Sequence, residues 1–230
     1  MSKRTIQSPF FMFNPKSYLY GEQLYELAQK ADKLAQSTDV SIFLTAPVSE
    51  LSYLTRTTKH LIITAQYVDD MQPGRGMGGF VPESARDAGV QACILNHAEK
   101  PINYATLEKL VLRLSELDII TIVCASSPVE AKAIALLNPD IILCEPTELI
   151  GSKQVSPDNY IKDTKEAIHS VNENILVMQG AGISSSEDIL KNLSFGANGN
   201  GVTSGITEAE DPEKTLEEMI QTTAGFKVTE

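Results

Sequence analysis

Residues 143–153, Leu-Cys-Glu-Pro-Thr-Glu-Leu-Ile-Gly-Ser-Lys, join an apolar run to a carboxylate and then to a loop that contains Ile150-Gly151-Ser152. The run that leads into them, Ile141-Ile142-Leu143-Cys144, lacks the polar alternation of a half-exposed strand and reads as one covered on both faces. Such a strand belongs to a parallel sheet flanked by helices. Glu145 then stands at its carboxyl end, half out of the core, where a charge is expensive unless chemistry requires it. Ligand sites of α/β proteins collect at that end.

Outward from this stretch the same rhythm repeats in both directions. Apolar runs predict strands over residues 10–13, 40–44, 61–63, 92–95, 119–123, 141–145, 175–178 and 198–203. Between and after them, apolar residues at helical spacing, with Pro82, Pro128 and Pro212 at helix starts, predict helices over 21–36, 48–57, 82–88, 104–117, 128–137, 157–171, 185–193 and 212–222. Eight strand-helix units in 230 residues predict one domain over 1–230, a closed (β/α)₈ barrel in preference to an open doubly wound sheet. The eighth strand is the weakest member, because Gly199-Asn200-Gly201 is polar where a barrel interior wants branched apolar side chains. The glycine-rich stretch 66–82 interrupts the rhythm and reads as a flexible arm or a partner contact.

Composition narrows the partners. The chain carries a formal charge of −11 and shows no basic footprint, so neither nucleic acid nor an anionic membrane is an expected partner. No run approaches the roughly 18 apolar residues of a membrane span, and residues 1–13 lack the features of a secretory signal, so a cytoplasmic location is expected. Cys93, Cys124 and Cys144 lie in apolar runs without a C-x-x-C spacing, which predicts buried reduced thiols rather than a disulfide or zinc framework. Neither a metal nor an organic cofactor is expected.

In a barrel every strand's carboxyl end faces one mouth, so Asn14, Lys16, His97, Glu145, Gly182 and Ser204 are expected to converge there. Each has a plainer reading: Lys16 as a solvated side chain, His97 as a structural histidine, Glu145 as a loop cap, Gly180-Ala181-Gly182 as a tight turn. Together they are more specific. The turns after strands seven and eight offer backbone N–H groups where barrels commonly hold phosphate, which points to a small phosphorylated ligand. A carboxylate removes a proton beside a carbonyl only if a hydrogen-bond donor and a positive charge stabilise the enolate. Glu145 as base, His97 as electrophile and Lys16 as electrostatic clamp make an aldose–ketose isomerase, with the loop 146–155 closing to exclude water.

Five motifs in this order resemble the triosephosphate isomerase family in its short, archaeal-type form: Asn14-Pro15-Lys16, Asn96-His97-Ala98-Glu99, Glu145 to Gly151, Gly180 to Ser184, and Thr203-Ser204-Gly205 followed by Asp211-Pro212-Glu213-Lys214. They span nearly the whole chain. The resemblance implies that Asn14 and Lys16 bind substrate, that His97 and Glu145 perform the proton transfers, and that Ile150, Gly151, Gly182, Thr203 and Ser204 present backbone groups to the phosphate. It also implies a homo-oligomer, dimer or tetramer, assembled through the third loop. There the family's threonine is replaced by Met77, and Ser152-Lys153 stands where a threonine-glycine pair is usual. These departures keep two alternatives open: an isomerase of a related phosphosugar such as a tetrulose phosphate, and a non-catalytic phosphosugar-binding barrel.

Overall fold

The computed structural model describes residues 3–152 and 154–227. Its eight strands are β1 (Phe10–Phe13), β2 (Ile42–Ala46), β3 (Ile62–Ala65), β4 (Ala92–Leu95), β5 (Ile120–Ala125), β6 (Ile141–Cys144), β7 (Leu176–Gln179) and β8 (Gly199–Val202). Each pairs in parallel with the next and β8 pairs with β1, closing the barrel. Helices follow in turn: α1 (Gly21–Ser37), α2 (Val48–Thr57), α3 (Pro82–Asp87), α4 (Tyr104–Glu116), α5 (Pro128–Ala135), α6 (Asp158–His169), α7 (Ser186–Ser194), a short α8 (Ser204–Thr207) and α9 (Pro212–Gly225). The (β/α)₈ barrel expected from the alternation is the fold observed.

Local signals account for the helices. Leu24, Leu27, Ala28, Ala31 and Leu34 recur on one face of α1 and are all buried, the stripe that a helix packed on a sheet requires. Before α7, the Ser185 side chain accepts the Asp188 N–H while the Asp188 carboxylate returns to the Ser185 N–H, so two otherwise unpaired helix donors are satisfied. Pro128 opens α5 behind a Ser127 cap that accepts the Glu130 N–H, the position where a missing N–H does no harm.

Two apolar layers follow from strand alternation. Phe10, Met12, Phe43, Ile94, Ile122, Cys124, Leu143 and Met178 pack inside the barrel, whereas Phe11, Phe13, Leu44, Val123, Ile142 and Val177 pack outward against the helices. Period two then places the site. The inward position after Met12 is Asn14, and the inward position after Leu143 is Glu145. Strand six itself ends one residue earlier than the sequence predicts, at Cys144, although the Glu145 N–H still donates to the Ala125 carbonyl at 2.9 Å. Strand two is shifted forward from the expected 40–44 to Ile42–Ala46, because its partner β3 pairs with Thr45 and Ala46 and buries a threonine that the expected strand leaves outside.

Strand eight is a full member of the barrel, and its polarity has a structural cause. A β-carbon on Gly199 would stand 2.4 Å from the Phe10 ring, so the large side chain at this level of the interior comes from β1 and strand eight must yield. Asn200 is fully buried, and its Oδ1 accepts the Asn192 amide of α7 at 2.7 Å. The glycine turn expected after it is instead the one-turn helix α8.

Cys93, Cys124 and Cys144 are buried and unpaired, as their apolar context predicts. Among the described residues no helix is long and apolar enough to cross a membrane.

Candidate active site

At the carboxyl end of the strands a cleft of about 150 Å³ is lined by Asn14, Lys16, His97, Glu145, Ile150, Gly151, Gly182, Thr203 and Ser204, together with Tyr18, Ala181, Ile183, Gly201 and Glu208. All the residues singled out from sequence thus face one space. The reading missed Ala181, which is hidden between two glycines, and Tyr18, whose 64% exposure makes it indistinguishable by pattern from a solvent-facing tyrosine. Lys153, in the loop after Glu145, lies outside the described residues.

The segment after β1 is built to turn sharply. Lys16 takes a left-handed backbone, φ 48°, uncommon for a side-chain-bearing residue. Three hydrogen bonds hold it there: Lys16 N–H to Asn14 Oδ1 at 3.1 Å, Thr45 Oγ1 to the same oxygen at 2.5 Å, and Gln66 Nε2 to the Lys16 carbonyl at 2.8 Å. The ammonium then reaches Glu99 Oε1 at 2.7 Å, with the lysine side chain 18% and the glutamate 60% exposed. Lys16 is the more buried partner of the pair, and it lines the cleft.

His97 follows β4 in a turn closed by Lys100 N–H to the His97 carbonyl at 2.8 Å. Its Nδ1 accepts the Glu99 N–H at 3.1 Å, so in the neutral ring the proton is on Nε2. Burial, reinforced by the nearby Lys16 cation, holds its pKa below the ordinary histidine value, with Glu99 opposing. Nε2 points at Glu145 Oε2, 3.6 Å away.

Glu145 is a largely buried carboxylate, its side chain 15% exposed. Burial pushes its pKa up to about 7, against the lowering effects of the Lys16 cation and the Ala181 N–H. That N–H reaches Oε1 at 3.1 Å from a residue with φ 66°. Gly180, immediately before it, leaves the space that the carboxylate fills: a β-carbon there would lie 2.1 Å from Oε1. The turn after β7, which the sequence reading assigns to phosphate, therefore also seats the carboxylate. Beyond Glu145 the loop makes a single 3₁₀ turn, Thr147–Leu149, that brings Ile150 and Gly151 to the cleft.

The arrangement sets a carboxylate that titrates near neutrality against an uncharged imidazole N–H and a fixed ammonium, beside backbone turns. Among the described residues no group of His, Cys, Asp or Glu side chains is placed to hold a metal ion.

The family model described as triosephosphate isomerase matches residues 9–223. The triosephosphate isomerase of Methanothermus fervidus is 35% identical over 221 residues, 94% of this chain and 99% of that protein. The Sulfurisphaera tokodaii triosephosphate isomerase is 32% identical over 94% of this chain and 95% of its own length, and that of Methanocaldococcus jannaschii 30% over 91% and 98%. With a family match over residues 9–223 and relatives at 30–35% identity over most of its length, the chain belongs to the triosephosphate isomerase family and is an isomerase.

Proposed function

We propose that the protein interconverts glyceraldehyde 3-phosphate and dihydroxyacetone phosphate by proton transfer through an enediolate, with no cofactor. The observation that carries this reading is the 3.6 Å approach of Glu145 Oε2 to His97 Nε2 in a cleft that also holds Lys16. Glu145, its carboxyl raised to about 7, is ionised often enough at neutral pH to take a carbon-bound proton and basic enough to do so efficiently. Neutral His97 offers Nε2–H to the substrate oxygens, and Lys16 stabilises the charge that develops on them. This family is itself the standing example of such paired tuning. Asn14 orders the Lys16 turn, while Ile150, Gly151, Gly182, Thr203 and Ser204 surround the position for the phosphate. The curated relatives named above support the triose as substrate.

The test is a coupled assay in both directions with Glu145→Gln as control. Turnover that vanishes in the control supports the reading; turnover no greater than the control sinks it in favour of a non-catalytic phosphosugar-binding barrel. Tetrose phosphates in the same assay decide substrate size, and a higher kcat/KM on them would replace the triose by a tetrulose phosphate.

A homo-oligomer is the second element of the proposal. Met77, at the tip of the glycine-rich loop, is 98% exposed, while the loop's root is fixed by Arg113, which donates to the Met71 carbonyl at 2.8 Å. A rigidly rooted loop ending in one large apolar side chain suits insertion into a second copy. Sedimentation of the protein and of Met77→Asp checks it, with a lone-chain mass in both as the contrary result.

A further inference from the structure

Asn96, one residue before His97, takes a left-handed backbone, φ 57°, and its side-chain amide is bonded on both sides. Nδ2 donates to the Cys124 carbonyl of β5 at 3.2 Å and to Glu130 Oε1 of α5 at 3.2 Å. Oδ1 accepts the Ile102 N–H at 3.2 Å, which closes the segment that contains His97 and Glu99. Two acceptors on one side and a donor on the other admit only one orientation of the amide. Glu130 is fixed in turn, because its Oε2 accepts the Ser126 N–H at 2.8 Å and the Ser126 hydroxyl at 2.7 Å. Both residues line a cavity of about 230 Å³ that reaches Glu145. On that side the loop is bounded by open space, so hydrogen bonds rather than packed atoms must hold it.

We propose that Asn96 and Glu130 form a strut between the β4 and β5 loops that positions His97. Neither touches the reacting atoms, so both are positioning residues. The strut fixes the 96–102 segment, this segment presents the Glu99 N–H to His97 Nδ1, and that bond selects the tautomer with Nε2–H toward Glu145. The kinetic consequence rests on the isomerase reading given above; the tautomer does not.

The strut is polar in a definite sense, and reversing that sense is the test. Asn96→Asp sets a carboxylate oxygen against both the Glu130 carboxylate and the Cys124 carbonyl. Glu130→Gln sets an amide against the Asn96 amide. In the double variant Asn96→Asp/Glu130→Gln, the new amide donates to the new carboxylate while its oxygen still accepts from Ser126, so that only the approach to the Cys124 carbonyl stays unrelieved and the rescue is partial. The measurements are kcat and KM for the triose phosphates, and ¹⁵N spectra of histidine-labelled protein at pH 8. The chain has three histidines, and His97→Gln identifies the relevant signals.

Wild type is expected to show His97 as a single Nε2–H tautomer. In Asn96→Asp the tautomer is lost and kcat falls about a hundredfold, the effect of an angstrom-scale misplacement. KM stays within about threefold, because the phosphate-binding groups lie elsewhere in the cleft. Glu130→Gln lowers kcat about tenfold, and the double variant regains at least about tenfold over Asn96→Asp together with the tautomer. Wild-type spectra in both single variants, or a double variant no better than Asn96→Asp, overturn the strut. Should Asn96→Asp not fold, Glu130→Gln decides alone, by loss or retention of the tautomer. A wild type that does not turn over triose phosphates defeats the isomerase reading, and the spectra still decide the strut.

Discussion

The Glu145 carboxylate occupies the volume that a β-carbon on Gly180 would take, with Oε1 2.1 Å from that point. The position of this carboxylate therefore depends on the backbone turn that follows the neighbouring strand β7, not on its own rotamer alone. Gly180→Ala is expected to lower kcat/KM about a hundredfold, as angstrom-scale displacement of a catalytic group does, with cooperative melting retained. The coupled assay beside a thermal melt checks it. Activity near wild type would mean that the carboxylate does not work from this seat.

The same seat sets the pH dependence. The free enzyme's kcat/KM should climb with pH as Glu145 loses its proton and level off above a midpoint of about 7. Burial and the Lys16 cation hold the His97 pKa below the ordinary histidine value, which favours the neutral ring. Stability runs the other way. Glu145 binds its proton more tightly when folded than when unfolded, so between the ordinary value of 4.5 and about 7 the folded state holds more protons and stability falls as pH rises. The difference reaches about 3 kcal/mol as an order of magnitude. Glu145→Gln should accordingly raise the melting temperature relative to wild type more at pH 8 than at pH 5. An equal effect at both pH values would place the carboxylate's pKa near its ordinary value.

Lys16 acts on both partners. Its cation lowers the Glu145 pKa and the His97 pKa. Lys16→Met should therefore lower kcat/KM by about 10²–10³, the scale of losing one electrostatic stabiliser, and also move the acid limb of the pH profile upward. A large loss of rate with an unmoved limb would separate the clamp from the tuning.

The barrel was legible because its alternation of apolar runs and helical stripes is written along the chain, and so were the polar residues at the ends of strands one, four and six. What stayed hidden depends on which residues lie side by side across strands. Nothing near Ala181 announces that its N–H holds Glu145, and nothing near Asn96 indicates Glu130. Thr45 falls just outside the strand expected over 40–44, yet it bonds Asn14 from within β2. Strand eight looked deficient for the same reason, since its composition makes sense only once Phe10 is placed opposite Gly199.

That pairing yields the last prediction. Gly199→Ala puts a methyl group 2.4 Å from the Phe10 ring in a barrel interior where Phe10 is fully buried and already meets Phe43 edge-on, centroids 5.5 Å apart. The substitution should therefore destabilise the fold by about 1–3 kcal/mol, as overpacking does. Phe10→Leu alone leaves a void and should destabilise by a similar amount. Combined, the smaller side chain accommodates the new methyl group, and the double variant should be more stable than the sum of the single effects allows, by about 0.5–3 kcal/mol of coupling. Denaturant unfolding of all four proteins measures it. Simple additivity would mean that strand eight yields to the methyl group by moving its own backbone, and that its glycine is not there for Phe10.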